Sequence, residues 1–182
     1  VDLGLTTMEE GTMADLRITT TRGTDTVLDE ATVQGFQTSL RGPLLRPGDE
    51  GYDEARTIWN AMIGKRPALI VRCAGVADVI NAVHFARTHH LLVAVRGGGH
   101  SIPGHSLCDG GLMIDLSQMK SMRVDPLRRT ARAEPGIKLG EFDHETQAFH
   151  LATTAGVVSD TGLAGLTLGG GMGWLARKYG LS

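Results

Sequence analysis

A chain of 182 residues with a formal net charge of −2 is long enough for one full core or two small subdomains, and it has no general electrostatic attraction for nucleic acid. Its basic residues are dispersed, no stretch approaches the roughly 18 apolar residues of a membrane span, and Val1–Thr12 has neither the basic start nor the apolar stretch of a secretory signal. The two cysteines, Cys73 and Cys108, form no CxxC pair and cannot build a thiolate site or a disulfide framework, so reduced thiols in the cytoplasm are expected.

In chain order, residues 1 to about 30 are polar and Thr-rich and read as a loose lead-in, and Met13 before Ala14-Asp15 suggests that the residues ahead of it come from a start placed too early. Ala31–Leu40 reads as a short helix, with Val33, Phe36 and Leu40 at helical spacing, and Arg41-Gly42-Pro43 stops it. After the Pro47-Gly48-Asp49 turn, Tyr52 to Asn60 reads as a helical turn anchored by Tyr52 and Trp59. Residues 1–66 thus form a lead-in with short helices, and Pro67 opens the main domain, residues 67–182.

From Pro67 the pattern is regular. Ala68–Arg72 reads as a strand, and Gly75–His90 as a helix with Val76, Val79, Ile80, Val83 and Ala86 on one inward face. Leu91–Val95 is the next strand, giving strand–helix–strand with a glycine-rich exit. Three short strand-like segments follow at Leu112–Leu116, Ser121–Val124 and Thr130–Glu134. Lys138–His150 reads as a helix with Leu139, Phe142, Thr146 and Phe149 inward. Thr153–Trp174 is glycine-spaced and irregular, running into Leu175–Gly180. An apolar, glycine-rich segment beside the last residue, Ser182, suggests a truncated chain.

The most informative segment is Val95-Arg96-Gly97-Gly98-Gly99-His100-Ser101-Ile102-Pro103-Gly104-His105-Ser106. Three successive glycines leaving a strand suit close approach by a bulky anion better than they suit packing. No Gly-Lys-[Ser/Thr] follows, so this is not a Walker loop. Ile102-Pro103-Gly104 prevents the helix that a Rossmann fingerprint opens. A nest of backbone N–H groups still binds a pyrophosphate without a helix. His100 stands at the mouth of that cradle, as nucleophile or hydrogen bonder. His100 and His105 have no third ligand at recognisable spacing, and no metal is expected. A second cluster, Gly169-Gly170-Gly171-Met172-Gly173, follows the same logic. Thr153-Thr154-Ala155-Gly156 and Thr161-Gly162 spread small residues and hydroxyls through a loop with the apolar partners Val157, Val158, Leu163 and Leu166. Asp115 and Asp125 read as turn or strand-end carboxylates.

Taken in order, the Val95–Ser106 segment, Thr154-Ala155-Gly156 and Gly169–Gly173 resemble the flavin-linked oxidases of the p-cresol methylhydroxylase and vanillyl-alcohol oxidase superfamily, and most closely the bacterial berberine-bridge-enzyme-like branch. The resemblance runs from about Tyr52 to Ser182. It implies an α+β fold, an FAD-binding domain of two α/β subdomains with FAD between them, truncated here within the second subdomain. Arg96, Gly97, Gly98, Gly99, His100, Ser101, Gly104 and His105 would wrap the pyrophosphate. Thr154, Ala155, Gly156, Thr161, Gly162, Gly165, Gly169, Gly170, Gly171 and Gly173 would run along the adenosine and the ring.

The resemblance further implies a covalent bond from His100 to the flavin 8α-methyl. Val158 stands where many members place a second, cysteinyl attachment, and Leu166 where doubly linked members have a histidine, so a single histidyl link is implied. The family's catalytic base and substrate residues fall later than Ser182. The implied activity is transfer of hydride from a small organic substrate to FAD and then to O₂, giving hydrogen peroxide. A non-catalytic flavin-binding module and a noncovalent flavin reductase using NADPH are the alternatives.

Overall fold

The computed structural model describes residues 15–182 as an α+β fold built on a four-stranded mixed sheet. The expectations for Val1–Thr12 and Met13 lie outside the described residues. The sheet order is β3 (Leu44–Leu45), β4 (Leu69–Arg72), β6 (Leu112–Asp115), β5 (Val93–Arg96). β3 runs antiparallel to β4, while β4 and β5 both run parallel to β6. One strand of this sheet therefore comes from before Pro67.

The central strands are continuous apolar runs because both faces of the sheet are covered. Side chains alternate across a strand, and here the alternation divides two cores. Leu69, Val71, Leu112 and Ile114 pack with Val33, Phe36 and Ala82 on one face. Ile70 and Met113 pack with Tyr52, Ala55, Ile58 and Leu107 on the other. The Tyr52 hydroxyl donates to the Pro67 carbonyl at 2.6 Å, which satisfies its one buried polar atom.

Helix α1 (Glu30–Thr38) begins where Asp29 accepts the Thr32 N–H at 2.7 Å, and α2 (Tyr52–Ala55) is a single turn. Helix α3 (Val76–Thr88) carries the chain from β4 to β5. A separate antiparallel hairpin, β7 (Met122–Asp125) and β8 (Thr130–Ala133), precedes α4 (Leu139–Gln147). Two short helices follow, α5 (Leu163–Leu168) and α6 (Ala176–Tyr179).

Four expectations are corrected. The lead-in contains an antiparallel hairpin, β1 (Leu16–Thr19) with β2 (Asp25–Leu28). Its threonines suit a pleated surface, and Ile18 and Leu28 seat it on the core. Helix α3 buries Asp78, Ala82 and Ala86, with Val79 packed alongside, whereas Val76, Ile80 and Val83 are 61%, 50% and 40% exposed. The cause is Asp78, whose carboxylate accepts the N–H groups of Arg41, Gly42 and Ala74 at 2.9, 3.1 and 2.8 Å. Three backbone donors at the β4 exit turn the helix so that its carboxylate faces in. Phe149 lies beyond the end of α4 and is 43% exposed. Within the stretch read as irregular, Leu163–Leu168 forms α5.

A backbone-walled cleft at the two glycine segments

The end of β5 delivers Gly97–Ser101 to one wall of a cleft of about 530 Å³, within the range of about 300–1,000 Å³ usual for small-molecule sites. Gly97, Gly98, Gly99, His100, Ser101, His105, Thr161, Gly162, Gly165, Gly169 and Gly171 line it, together with Val95, Ser106 and Leu166. The two glycine segments predicted from sequence thus meet in space. Arg96, Gly104, Thr154, Ala155, Gly156, Gly170 and Gly173 do not line this cleft. A larger cleft of about 650 Å³ lies elsewhere, against Lys120, Glu141 and His144, away from both glycine segments.

The glycines off the wall have other work. A Cβ on Gly173 would stand 1.9 Å from the Ala155 carbonyl oxygen, so the 171–173 turn lies directly on the Ala155-Gly156 loop. Gly156 carries Leu166 and Leu139 where its side chain would be. The Arg96 guanidinium packs behind Gly99, with Nε 3.1 Å from where a Gly99 Cβ would stand; its Nη1 donates to the Ala55 carbonyl at 2.7 Å and lies 3.8 Å from buried Asp115. Asp115 also faces Arg72 Nε at 3.3 Å and accepts from the Ser117 N–H and hydroxyl, so it ties the ends of three parallel strands together.

Close approach in the triple glycine is first of all approach by the protein itself. A Cβ on Gly98 would meet Gly162 Cα at 2.4 Å, and one on Gly97 would meet the Pro135 carbonyl oxygen at 2.9 Å. Gly99 alone of the three needs the left-handed region, with φ +74°. These contacts press the two loops into a continuous wall.

That wall is polar in a particular way. Among the described residues, the N–H groups of Gly97, Gly98, Gly99, His100 and Ser101 donate to no backbone carbonyl. Ser106 is 7% exposed, and its hydroxyl oxygen lies buried at the cleft without a partner. A buried hydroxyl left unpaired costs about 1–3 kcal/mol, and consecutive free N–H groups form an anion-binding concavity. Gly165 also lines the cleft, and a Cβ there would meet no protein atom within 4 Å, so this part of the wall is open. These donors fit a pyrophosphate, and therefore fit FAD.

His100 sits at the edge of this wall, between two groups that sequence reading missed. Its Nε2 lies 3.1 Å from Asp160 Oδ2, and its ring stacks on Trp59 with centroids 5.7 Å apart and planes at 20°. Trp59 is 66% exposed, so it is no core anchor; its backbone N–H donates to the Gly99 carbonyl at 3.0 Å and holds the residue beside the loop. The other carboxylate oxygen of Asp160 accepts from Lys138 Nζ at 2.5 Å. The Lys138 and then the His100 hydrogen bonds hold the Asp160 carboxyl below its ordinary 3.8. Asp160 and Ser106 sit inside or beside segments already singled out for glycine. Nothing in local spacing marks a partner 60 residues away in sequence.

A mixed α+β fold with a backbone-walled, phosphate-compatible cleft defines an FAD-binding domain of the p-cresol methylhydroxylase type. Residues 67–182 match the FAD binding domain family, and the chain belongs to it. It is 42% identical over 151 residues to an FAD-linked oxidoreductase of Dictyostelium discoideum, covering 82% of this chain and 33% of that protein. The crystal structure of 6-hydroxy-D-nicotine oxidase from Arthrobacter nicotinovorans matches with a TM-score of 0.76 at 38% identity, over 79% of this chain and 32% of that one. The Physcomitrella patens protein BBE-like 1 matches with a TM-score of 0.76 at 32% identity, over 82% of this chain and 33% of that one. The chain thus spans about a third of the length of these relatives, and it belongs with the FAD-binding domains of the vanillyl-alcohol oxidase superfamily and its berberine-bridge-enzyme-like branch. Among the described residues no helix is long and apolar enough to cross a membrane.

Proposed function

We propose that this chain is the cofactor-holding part of an FAD-dependent oxidase acting on a small organic molecule (a sugar, an alcohol or a secondary metabolite), with O₂ as electron acceptor and hydrogen peroxide as product, and with the flavin joined covalently to His100. One observation carries this reading: five consecutive N–H groups that donate to no backbone carbonyl among the described residues share one cleft with a hydroxyl that is buried and unpaired among them and with a histidine. Gly97–Ser101 and Ser106 hold the pyrophosphate through backbone N–H and hydroxyl donors. Thr161, Gly162, Gly165, Gly169 and Gly171 form the facing wall, whose lack of side chains lets a flat, wide ligand lie against it. His100 supplies a nucleophilic nitrogen at the edge. When bound, the flavin supplies the two-electron chemistry, and the protein supplies binding, orientation and electrostatics. The relatives named as oxidases support the reaction class.

The test is acid precipitation after reconstitution with FAD. Yellow colour stays in the pellet of the parent protein and of Val158→Ala, and is released from His100→Ala. A tryptic flavopeptide that lacks His100 excludes the attachment. Bleaching of the bound flavin by NADPH, with no donor-dependent peroxide, points instead to a reductase.

A further inference from the structure

We propose that Asp160, pinned by Lys138, is a positioning residue that fixes His100 as the Nε2–H tautomer and leaves Nδ1 as the nitrogen that bonds the flavin. The inference rests on the reading of His100 as the attachment residue and adds the carboxylate that controls where its ring proton sits.

Asp160 is ionised across the neutral range, held so by Lys138, and an ionised carboxylate only accepts hydrogen bonds. The ring nitrogen facing it, Nε2, must therefore donate. In a neutral imidazole one nitrogen donates and the other carries the lone pair, so the lone pair is on Nδ1. The same logic sets the tautomer of any histidine whose partner is a fixed carboxylate.

The contact is built by the fold and is no chance pairing of flexible side chains. Lys138 bridges Gly162 in antiparallel fashion, and the N–H groups of Leu139 and Gly140 donate to Thr161 and Ser159 at 2.9 and 2.8 Å. This short ladder sets Lys138 beside Asp160. The Gly98–Gly162 contact fixes the distance from that ladder to the loop bearing His100. Trp59 stacks on the imidazole and fixes the plane of the ring. Asp160 is largely exposed and so contributes little stability as an ion pair. Its effect is on which nitrogen holds the proton.

The bond bookkeeping gives Asp160 a second task. Attachment breaks one C–H bond of the flavin 8α-methyl and the N–H bond at Nε2, and it forms the C–Nδ1 bond. The two electrons released pass to the oxidised ring and then to dioxygen, which leaves as hydrogen peroxide with the two protons. While the new bond forms, His100 carries a positive charge, and Asp160 stands at the nitrogen that must lose its proton.

Three readouts test this. Nitrogen-15 NMR of the apoprotein is expected to show His100 protonated at Nε2 with a bare Nδ1, and Asp160→Ala to show a mixture of tautomers. On addition of FAD, Asp160→Ala is expected to attach flavin about tenfold more slowly, the low end for losing a charge-assisted partner at a half-exposed site. Asp160→Glu recovers part of the rate. Lys138→Met, which keeps the carboxylate and frees it to move, falls between the two and serves if Asp160→Ala does not fold. Mass spectrometry and NMR of the flavopeptide locate the bond. A bond to Nε2 of His100, or a tautomer unchanged in Asp160→Ala, overturns the proposal and leaves His100 as the attachment residue. Covalent flavin in His100→Ala overturns the attachment reading itself.

Discussion

Gly98→Ala is the smallest change that tests whether the cleft is built by two backbones in contact. A Cβ on Gly98 lies 2.4 Å from Gly162 Cα and 2.6 Å from its nitrogen, and the reverse substitution meets Gly98 Cα at 2.6 Å. Ordinary carbon contacts are about 3.5–4.0 Å, so one methyl requires the two chains to part by about 1 Å. Neither neighbour has a side chain that can rotate away, and Gly98 is not in the left-handed region, so the whole effect is steric. Overpacking of this kind costs about 1–3 kcal/mol. At about 2–4 °C per kcal/mol for a chain of this size, a cost near 2 kcal/mol lowers Tm by about 4–8 °C. If the walls relax apart without ligand and must close again to bind it, re-imposing about 1.4 kcal/mol of that strain weakens FAD binding about tenfold. Gly35→Ala is the control: Gly35 lies within α1 with nothing near its Cβ, so alanine there raises stability by about 0.5–1 kcal/mol. Apoprotein melting and a flavin fluorescence titration read the two quantities separately. A Gly98→Ala protein with the parent's Tm and FAD affinity refutes the contact as the cleft's foundation.

Gly165→Ala separates ligand contact from packing. With open space at its Cβ and a place inside α5, alanine is expected to stabilise the apoprotein by about 0.5–1 kcal/mol, yet to weaken FAD binding in the same titration. Burial pushes the Asp78 carboxyl upward, but the N–H groups of Arg41, Ala74 and Gly42 outweigh it and hold the group below 3.8. A carboxyl depressed on folding stabilises the protein above its unfolded value and loses that contribution as pH falls below about 4 through the lower folded value. Asp78→Asn should therefore cost about 1.5–3 kcal/mol in urea unfolding at pH 7 and noticeably less near pH 3. The same deficit at both pH values contradicts the charged role. Cys73 and Cys108 are buried, and burial pushes their thiols up to about 12 and about 11. Neither is expected to react with a thiol reagent at pH 8 until the protein unfolds, and rapid labelling of the native protein would show that one of them is accessible.

The legible parts of the fold are those in which burial is decided by a residue's near neighbours in sequence. Leu69-Ile70-Val71 and Leu112-Met113-Ile114 are apolar without interruption, which only a sheet covered on both faces accommodates. The inward face of α3 was not legible. The helix carries apolar residues around much of its circumference, and its orientation is chosen by Asp78 meeting N–H groups of Arg41 and Gly42, more than thirty residues earlier. The β1–β2 hairpin was hidden for a related reason. Its strands are four residues each, and Ile18 and Leu28 reveal their burial only once the core they join exists.

At the cleft the glycine runs announced where a ligand binds, though the reason they give is only half the physical one. Glycine was expected where a phosphate comes close to backbone. In the structure Gly97, Gly98, Gly156, Gly162, Gly171 and Gly173 are each occupied by another part of the same chain, and Gly165 is the wall glycine left open. The two roles are coupled. Only loops that lie this close together can bring the N–H groups of Gly97–Ser101, which donate to no backbone carbonyl among the described residues, the Ser106 hydroxyl and His100 to one cleft. The same proximity sets Asp160 and Lys138 behind the imidazole, although no spacing in the sequence relates them to it. A glycine far from any ligand can therefore matter to the cofactor as much as one beneath it. Gly173, whose Cβ would stand 1.9 Å from the Ala155 carbonyl oxygen, is outside the cleft wall and is the position where that coupling is most exposed. Gly173→Ala should lift the 171–173 turn from the Ala155-Gly156 loop, shift Gly171 and Leu166 in the wall, and weaken FAD binding without touching it. Flavin affinity equal to the parent's in a folded Gly173→Ala protein would show that the wall is set by Gly98 and Gly162 alone.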